Sequence, residues 1–156
     1  MIRPTTPEDT NAIIAVAETI GFQPQELDYL KKMLSDYFQD GETDSFWITY
    51  AENEPVGVAY CEPERMTHQT WNLLLIAIRE DLQGQGRGGK LLDYVEQTLI
   101  ERGGRMLLVE TSGLPDFERT RSFYVKCGFQ EEARIRDFYT EGDDKIVFRK
   151  VLNAEG

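Results

Sequence analysis

The segment 71–98 constrains the fold most strongly, because it places an apolar run, a glycine-rich stretch and a helical pattern in direct succession. The run Leu73–Ile78 carries no charge and is too short to cross a membrane, which predicts a strand buried on both faces. The helical pattern that follows places four apolar residues on one face: Leu91, Leu92, Val95 and Leu99. This spacing predicts an amphipathic helix after the strand.

Four glycines lie between the predicted strand and helix, within six positions: Gly84, Gly86, Gly88 and Gly89. One turn needs fewer, so the stretch predicts backbone at positive φ that approaches another group closely. A helix that begins here offers free amides and the positive end of its dipole. A phosphate or pyrophosphate group is the natural occupant of such a helix start.

Two nucleotide-binding patterns compete for these glycines. Gly84-x-Gly86-x-x-Gly89 fits the dinucleotide pattern, and Gly84-x4-Gly89-Lys90 nearly fits the P-loop. The P-loop needs Ser or Thr after its lysine, where this chain has Leu91, and a dinucleotide fold needs further strand-helix repeats. A nucleotide-binding protein therefore stays as one alternative for this chain.

Residues 78–92 resemble the acyl-CoA motif of the GCN5-related N-acetyltransferases, Q-x-x-G-x-G before a leucine-rich helix, with Gln83, Gly86 and Gly88 at its core. Residues 121–129 resemble the final helix of that family, F/L-Y-x-x-x-G-F/Y. The resemblance implies an α/β fold of the acyl-CoA N-acyltransferase type. We expect a central mixed sheet of six to seven strands, flanked by about four helices, in a single domain over residues 1–156.

The remaining sequence predicts elements in an order that agrees with this fold. Strands are expected at 2–3, 45–51, 56–60, 106–109, 130–139 and 145–152, and helices from Pro7 to Ile20, 24–38, 88–102 and 117–126. Residues 61–70 are predicted to form a loop. Glu110 to Ser112 are predicted to end the strand that begins at residue 106. The strand, helix and strand at 73–109 predict a parallel pair.

The resemblance also implies a reaction: transfer of an acetyl group from acetyl-CoA, the cosubstrate, to a primary amine by direct attack in a ternary complex. The thioester and pantetheine are expected against Ile76, Ala77 and Ile78. The pyrophosphate is expected on Gln83, Gly84, Gln85, Gly86, Arg87, Gly88 and Gly89. Arg79, Lys90 and Arg121 are weaker candidates for phosphate contacts. A catalytically silent acyl-CoA-binding or partner-binding module is the alternative to an enzyme.

Two proton-transfer roles follow from the chemistry, because the amine must lose a proton and the departing thiolate must gain one. Tyr124 matches the acid of the family, and Glu110 resembles the base of peptide-amine acetyltransferases. Glu62, Glu64 or an ordered water are the other candidates for the base. A tyrosine of the core and a salt-bridged glutamate are the structural alternatives for the first two residues.

The net charge of −11 argues against a nucleic-acid partner. It either favours a cationic amine acceptor or only keeps the protein soluble, and both interpretations stay open. Two cysteines are too few for a disulfide scaffold, and neither a signal peptide nor a membrane span is expected, so a cytoplasmic protein is predicted. His68 is the only histidine, and no metal site is expected. The chain is expected to be a monomer or a homodimer.

Overall fold

A computed structural model describes residues 1–41 and 43–152 of the chain. The strands are β1 Ile2–Pro4, β2 Phe46–Glu52, β3 Glu54–Pro63, β4 Thr70–Ile78, β5 Met106–Ser112, β6 Gln130–Thr140 and β7 Asp143–Val151. The α-helices of this part of the chain are α1 Thr10–Thr19, α2 Pro24–Asp40, α3 Arg87–Glu101 and α4 Glu118–Lys126. None of the described helices is both long and apolar enough to span a bilayer.

The seven strands form one mixed sheet in the order β1-β2-β3-β4-β5-β7-β6. β4 and β5 run parallel, with Asn72 opposite Leu108, while β1 with β2, β2 with β3, β5 with β7 and β6 with β7 are antiparallel. The predicted parallel pair and the predicted mixed α/β sheet with about four helices are therefore confirmed.

The chain packs as two compact units, of which the first comprises Met1–Glu62 and Leu75–Gln97. Its core lies between helices α1 and α2 and the strands β2 and β3. The buried residues include Ile13, Val16, Ala17, Leu27, Leu30, Leu34, Trp47, Val58 and Tyr60. Trp47 and Tyr60 stack with their ring centroids 4.3 Å apart. Leu27, Leu30 and Leu34 form the buried face of α2.

The second unit comprises Pro63–Leu74 and the described residues of 98–156. Leu107 and Val109 of β5 are buried, as are Ile146 and Phe148 of β7. The edge strand β6 pairs with β7 through two irregularities in register and leaves its side chains exposed. The turn at 141–142 is shorter than the predicted loop 140–144, because Thr140 already pairs with Asp143.

Two local expectations were wrong, each because pairing or exposure in the folded chain cannot be read from a local pattern. β5 is not one of them: it ends at Ser112 as predicted, and because its last residues pair with β7, Glu110 lies inside the strand. β3 continues to Pro63, since Cys61 pairs with Phe46 of β2. β4 is not buried along its whole length, because Leu74 is 45% exposed and Leu75 and Ile76 are partly exposed.

A buried carboxylate fastens the start of the chain to the sheet. Asp9 accepts two hydrogen bonds from the Arg3 guanidinium, at 2.7 and 2.9 Å, one from the Thr6 amide at 2.9 Å and one from the Thr49 hydroxyl at 3.2 Å. The Arg3 hydrogen bond in particular lowers the pKa of Asp9 from 3.8 to about 2. The ionised form is therefore stabilised by folding.

Asp9→Asn should lower the free energy of unfolding by roughly 2 kcal/mol at pH 7, because the depressed pKa of Asp9 stabilises the fold only while the group is ionised. The contribution is complete above pH 3.8, the unfolded value, and is lost as the pH falls through about 2. Urea unfolding between pH 7 and about pH 2 should therefore show the wild type and the variant converging below pH 3.8. Asp36→Asn is the control, since Asp36 forms only an exposed pair with Lys32 and should change stability little at any pH. A difference between wild type and Asp9→Asn that does not depend on pH would contradict this account.

Candidate active site

The end of β4 lies unusually close to β3 at Gly57. A Cβ atom on Gly57 would stand 2.6 Å from the Ile78 Cδ1 atom and 3.2 Å from the Ala77 carbonyl oxygen. A larger residue at position 57 would have to displace the end of the Ile78 side chain and would press against the Ala77 carbonyl. The Arg79 amide also donates to the Val56 carbonyl at 2.8 Å, which holds the residue after β4 against the same strand.

The side chain of Gln83 closes the turn that follows β4. Its Nε2 atom donates to the Ile78 carbonyl at 2.9 Å, so the first residue of the glycine motif is hydrogen-bonded to the last residue of the strand. A short 3-10 helix, Glu80–Leu82, spans the distance between them. The side chain of Gln83 thereby fixes where the glycine stretch begins.

Gly84 and Gly86 have φ values of +77° and +88°, as the sequence predicted for this stretch. The Gly86 carbonyl accepts a hydrogen bond from the Lys90 amide at 3.2 Å, and α3 starts at Arg87. The first amides of a helix have no carbonyl partner within it and carry the positive end of the dipole. A Cβ atom on Gly86 would meet nothing within 4 Å, so the loop is open at this position.

Arg87 holds the loop together through an ion pair. Its guanidinium contacts both carboxylate oxygens of Glu52, at 2.8 and 3.0 Å, and donates to the Leu82 carbonyl and to the side-chain oxygen of Gln85. This pairing lowers the pKa of Glu52 below its usual value. The Arg87 side chain therefore braces the glycine loop against the β2–β3 hairpin.

Two of the other basic candidates for phosphate contacts, Arg79 and Arg121, are engaged by the protein itself. Arg79 pairs with Glu54 at 2.9 Å and with Asp81 at 2.7 Å. Arg121 donates to the Ser112 and Leu114 carbonyls at 2.8 and 2.9 Å and so fixes the loop between β5 and α4. The guanidinium groups of Arg79 and Arg121 are therefore less available to an anion than the unpaired first amides of α3.

Tyr124 lies in α4, packed among aromatic rings of the second unit. Its ring centroid is 5.5 to 5.8 Å from those of Phe123, Phe129 and Phe148. Burial, with smaller contributions from Cys127 and Tyr139, raises the pKa of Tyr124 well above its usual value. The phenol is therefore protonated at neutral pH, and none of the described residues forms a hydrogen bond with its hydroxyl.

Glu110 is held by two donors on one of its oxygens. Its Oε2 atom accepts from the Asn72 Nδ2 atom at 3.2 Å and from the Lys145 Nζ atom at 3.0 Å. The same Asn72 nitrogen donates to the Glu64 Oε1 atom at 2.9 Å. Two of the three carboxylates predicted as candidate bases, Glu110 and Glu64, are thereby brought together around a single amide.

Glu62, the third candidate, has a different partner. Its Oε2 atom accepts a hydrogen bond from the Tyr60 hydroxyl at 2.6 Å. Burial and, next, this hydrogen bond raise the pKa of Tyr60 to about 12. Tyr60 therefore stays protonated and keeps one oxygen of Glu62 engaged.

Sequence reasoning did not find three residues around Glu110. Asn72 and Lys145 contact its carboxylate, and Tyr139 lies within its electrostatic range, since the pKa of Tyr139 is raised by burial and then by Glu110. A polar Asn72 between Trp71 and Leu73 was the one available signal, because asparagine is rare in buried strands. Across the described residues, no group of three or more His, Cys, Asp and Glu side chains is arranged to hold a metal ion.

A comparison with known proteins places this geometry in a family. The model of the GNAT acetyltransferase domain matches residues 42–131, more than half of the chain. The chain belongs to the GNAT acetyltransferase family. The motifs at Gln83–Gly89 and at Tyr124 had predicted this assignment, and it is confirmed.

Two solved structures share the fold of nearly the whole chain, and one further relative matches most of its sequence. A GNAT-family structure from Desulfovibrio desulfuricans is 31% identical, with 98% of this chain and 99% of that chain covered and a TM-score of 0.92. N-alpha-acetyltransferase 30 of Schizosaccharomyces pombe is 26% identical over 78% of this chain and 79% of its own length. An aminoglycoside 6'-N-acetyltransferase crystallised with coenzyme A is 14% identical, with 98% and 97% covered and a TM-score of 0.79, which shows a shared fold alone.

Proposed function

We propose that this GNAT protein transfers the acetyl group of acetyl-CoA to a primary amine by direct attack in a ternary complex. The observation that carries the proposal is the glycine loop, whose residues Gly84 and Gly86 have positive φ and lead directly into α3. Amides at such a helix start bind a pyrophosphate, the group that coenzyme A carries. In this proposal Gln83, Gly84, Gln85, Gly86, Arg87, Gly88 and Gly89 form the pyrophosphate site, to which Arg87 contributes its backbone.

The thioester is assigned to the end of β4. Ile76 is partly exposed, whereas Ala77 and Ile78 are buried against Gly57 and provide a rigid wall. A fixed backbone amide beside the thioester carbonyl stabilises the negative charge that develops on its oxygen as the amine attacks. Ile76, Ala77 and Ile78 accordingly contact the thioester and pantetheine in this proposal.

The two proton transfers are assigned to the second unit. Tyr124, protonated at neutral pH and without a hydrogen bond from the described residues, gives its proton to the departing thiolate. Glu110, which keeps its Oε1 atom free of hydrogen bonds from the described residues, takes a proton from the amine, directly or through a water. Glu64 shares the Asn72 amide and is the next candidate for the base.

A cationic amine is the acceptor class that the charges favour. The chain carries a net charge of −11, and the Glu64, Glu110 and Lys145 group sums to −1. Opposite charge raises the rate of encounter with a cationic acceptor. Peptide α-amines belong in the test because one relative is named an N-alpha-acetyltransferase. The protein is proposed to act in the cytoplasm as a monomer or homodimer.

The proposal is tested by incubating the protein with acetyl-CoA and single amines, while free thiol is measured in parallel with the mass of the acceptor. The panel holds peptides with free α-amines, N-acetylated peptides with one lysine, a polyamine and an aminoglycoside. We expect thiol release that depends on one class of amine and an acceptor heavier by one acetyl group. Binding of acetyl-CoA without turnover of any amine would instead favour a silent acyl-CoA-binding module. Stabilisation by NADH or Mg-ATP alone would favour a nucleotide-binding protein.

Gly86→Val should leave the fold intact but weaken CoA binding by at least tenfold, because a β-branched residue at φ +88° is strained and would protrude into the open side of the loop. Calorimetric titration of CoA measures the affinity, and circular dichroism checks the fold. Gly142→Val is the matched control, with φ of +85° and equally open space in the β6–β7 turn. Equal CoA affinity in both variants would move the pyrophosphate away from the loop.

Tyr124→Phe should lower kcat by roughly 10² to 10⁴-fold with little change in CoA affinity, because it keeps the ring but removes the proton donor. The ring contacts with Phe123, Phe129 and Phe148 are retained, so the melting temperature should stay near that of the wild type. Phe123→Leu, which alters a neighbouring ring without touching the hydroxyl, controls for packing. Full kcat in Tyr124→Phe would make Tyr124 a core residue only.

Glu110→Gln should slow the reaction most at low pH, and its defect should shrink as the pH approaches the pKa of the amine, where free amine becomes abundant. Rates of the wild type and the variant at saturating acetyl-CoA between about pH 6 and pH 10 measure this dependence. Glu62→Gln, measured alongside, should show no such convergence. A Glu110→Gln defect that is constant with pH would move the role of base to another group.

A further inference from the structure

Asn72 is a polar residue in a strand position that the fold does not require to be polar. It lies in β4 between Trp71 and Leu73, opposite Leu108 of β5, and only 5% of it is exposed. Burying a side-chain amide costs free energy unless its donors and acceptor are all paired. An apolar residue of similar size would avoid that cost, so another requirement keeps an asparagine here.

The amide nitrogen of Asn72 is fully used by two carboxylates. It donates to the Glu64 Oε1 atom at 2.9 Å and to the Glu110 Oε2 atom at 3.2 Å, and an amide NH₂ group has only two hydrogens. The two contacts also fix which way the amide faces, because its oxygen would be repelled by either carboxylate. Glu64 therefore anchors one side of the amide while the other side holds Glu110.

The amide oxygen of Asn72 makes the arrangement costly. It is buried and has no hydrogen-bond partner among the described residues. An orphaned acceptor of this kind destabilises the folded state. The orientation is kept in spite of that cost, which is typical of a polar group whose purpose is to position another group.

We propose that Asn72 is a positioning residue for the proton acceptor, and that Glu64 is the anchor that keeps its amide in place. With Oε2 of Glu110 held by Asn72 and by Lys145, the carboxylate presents its other oxygen, Oε1, to the incoming amine. Asn72 itself exchanges no proton. The inference rests on the proposed role of Glu110 as the base.

The test is a double-mutant cycle with Asn72→Leu and Glu110→Gln, which keeps the whole chain and measures kcat for the best acceptor of the panel. Asn72→Leu should lower kcat by about 10²-fold in the wild type, because a small displacement of a catalytic group costs that much. In the Glu110→Gln background, Asn72→Leu should lower kcat by no more than about twofold, since the effects of residues that act as a unit are not additive.

Thr111→Val is the matched control. Thr111 is buried, follows Glu110 in β5 and so faces the opposite side of the sheet, and the described residues provide no hydrogen bond for its hydroxyl. Its effect on kcat should be small and the same in both backgrounds. Asn72→Ser, a smaller change, repeats the cycle if Asn72→Leu does not fold.

Conservative replacement of Glu64 provides a second readout. Glu64→Gln keeps an oxygen that can accept from Asn72 and should stay within about threefold of the wild-type kcat, whereas Glu64→Leu removes the anchor and should cost about tenfold. Asn72→Leu that costs the same factor in both backgrounds would overturn the inference while leaving Glu110 as the base. Wild-type activity in Glu110→Gln would overturn the role of Glu110 itself. If the effect of Asn72→Leu on kcat is lost in the Glu64→Leu background but unchanged in the Glu110→Gln background, the base is Glu64.

Discussion

The hydrogen bond from the Gln83 side chain to the Ile78 carbonyl is the contact on which the glycine loop depends. It joins the last residue of β4 to the first residue of the motif, across a short 3-10 helix. Gly84 and Gly86 can then adopt positive φ in a loop whose ends are already fixed, and α3 begins in a defined direction. A helix start binds an anion well only if its amides are held in place beforehand, because ordering them on binding would cost affinity.

The Arg87 ion pair serves the same end by a different route. Arginine in a glycine loop suggests a direct contact with phosphate, yet its guanidinium is engaged by both oxygens of Glu52 and by the loop itself. A paired guanidinium adds little net charge, but it stiffens backbone that glycine alone would leave flexible. The glycines of the loop therefore allow its unusual backbone conformation, and the Arg87 side chain limits its motion.

Much of the fold could be predicted because each element carries its own signal. The apolar stripe of α2, the helix after the glycines and the parallel β4–β5 pair all follow from periodicity and chain order. The true end of β3 could not be predicted, since Cys61 joins its strand only by pairing with Phe46 of β2. The environment of Glu110 was hidden for the same reason: Asn72 and Lys145 reach it from strands far apart in the chain. Motif positions such as Tyr124 were accessible because a family pattern names them, whereas the residues that position them have no pattern of their own.

The exposed apolar residues of β4, Leu74 to Ile76, contribute less to stability than buried ones would. β4 has a neighbour on each side in the sheet, and its sequence is as apolar as that of a buried strand, yet Leu74 is 45% exposed and Ile76 is partly exposed. Burying a leucine side chain fully is worth about 1.5–3 kcal/mol, so this exposure has a cost that a structural strand would avoid. A ligand that covers such residues gains part of this free energy as binding affinity. Since Ile76 begins the segment assigned to the thioester and pantetheine, the exposed apolar surface gives that assignment an energetic reason independent of the glycine motif.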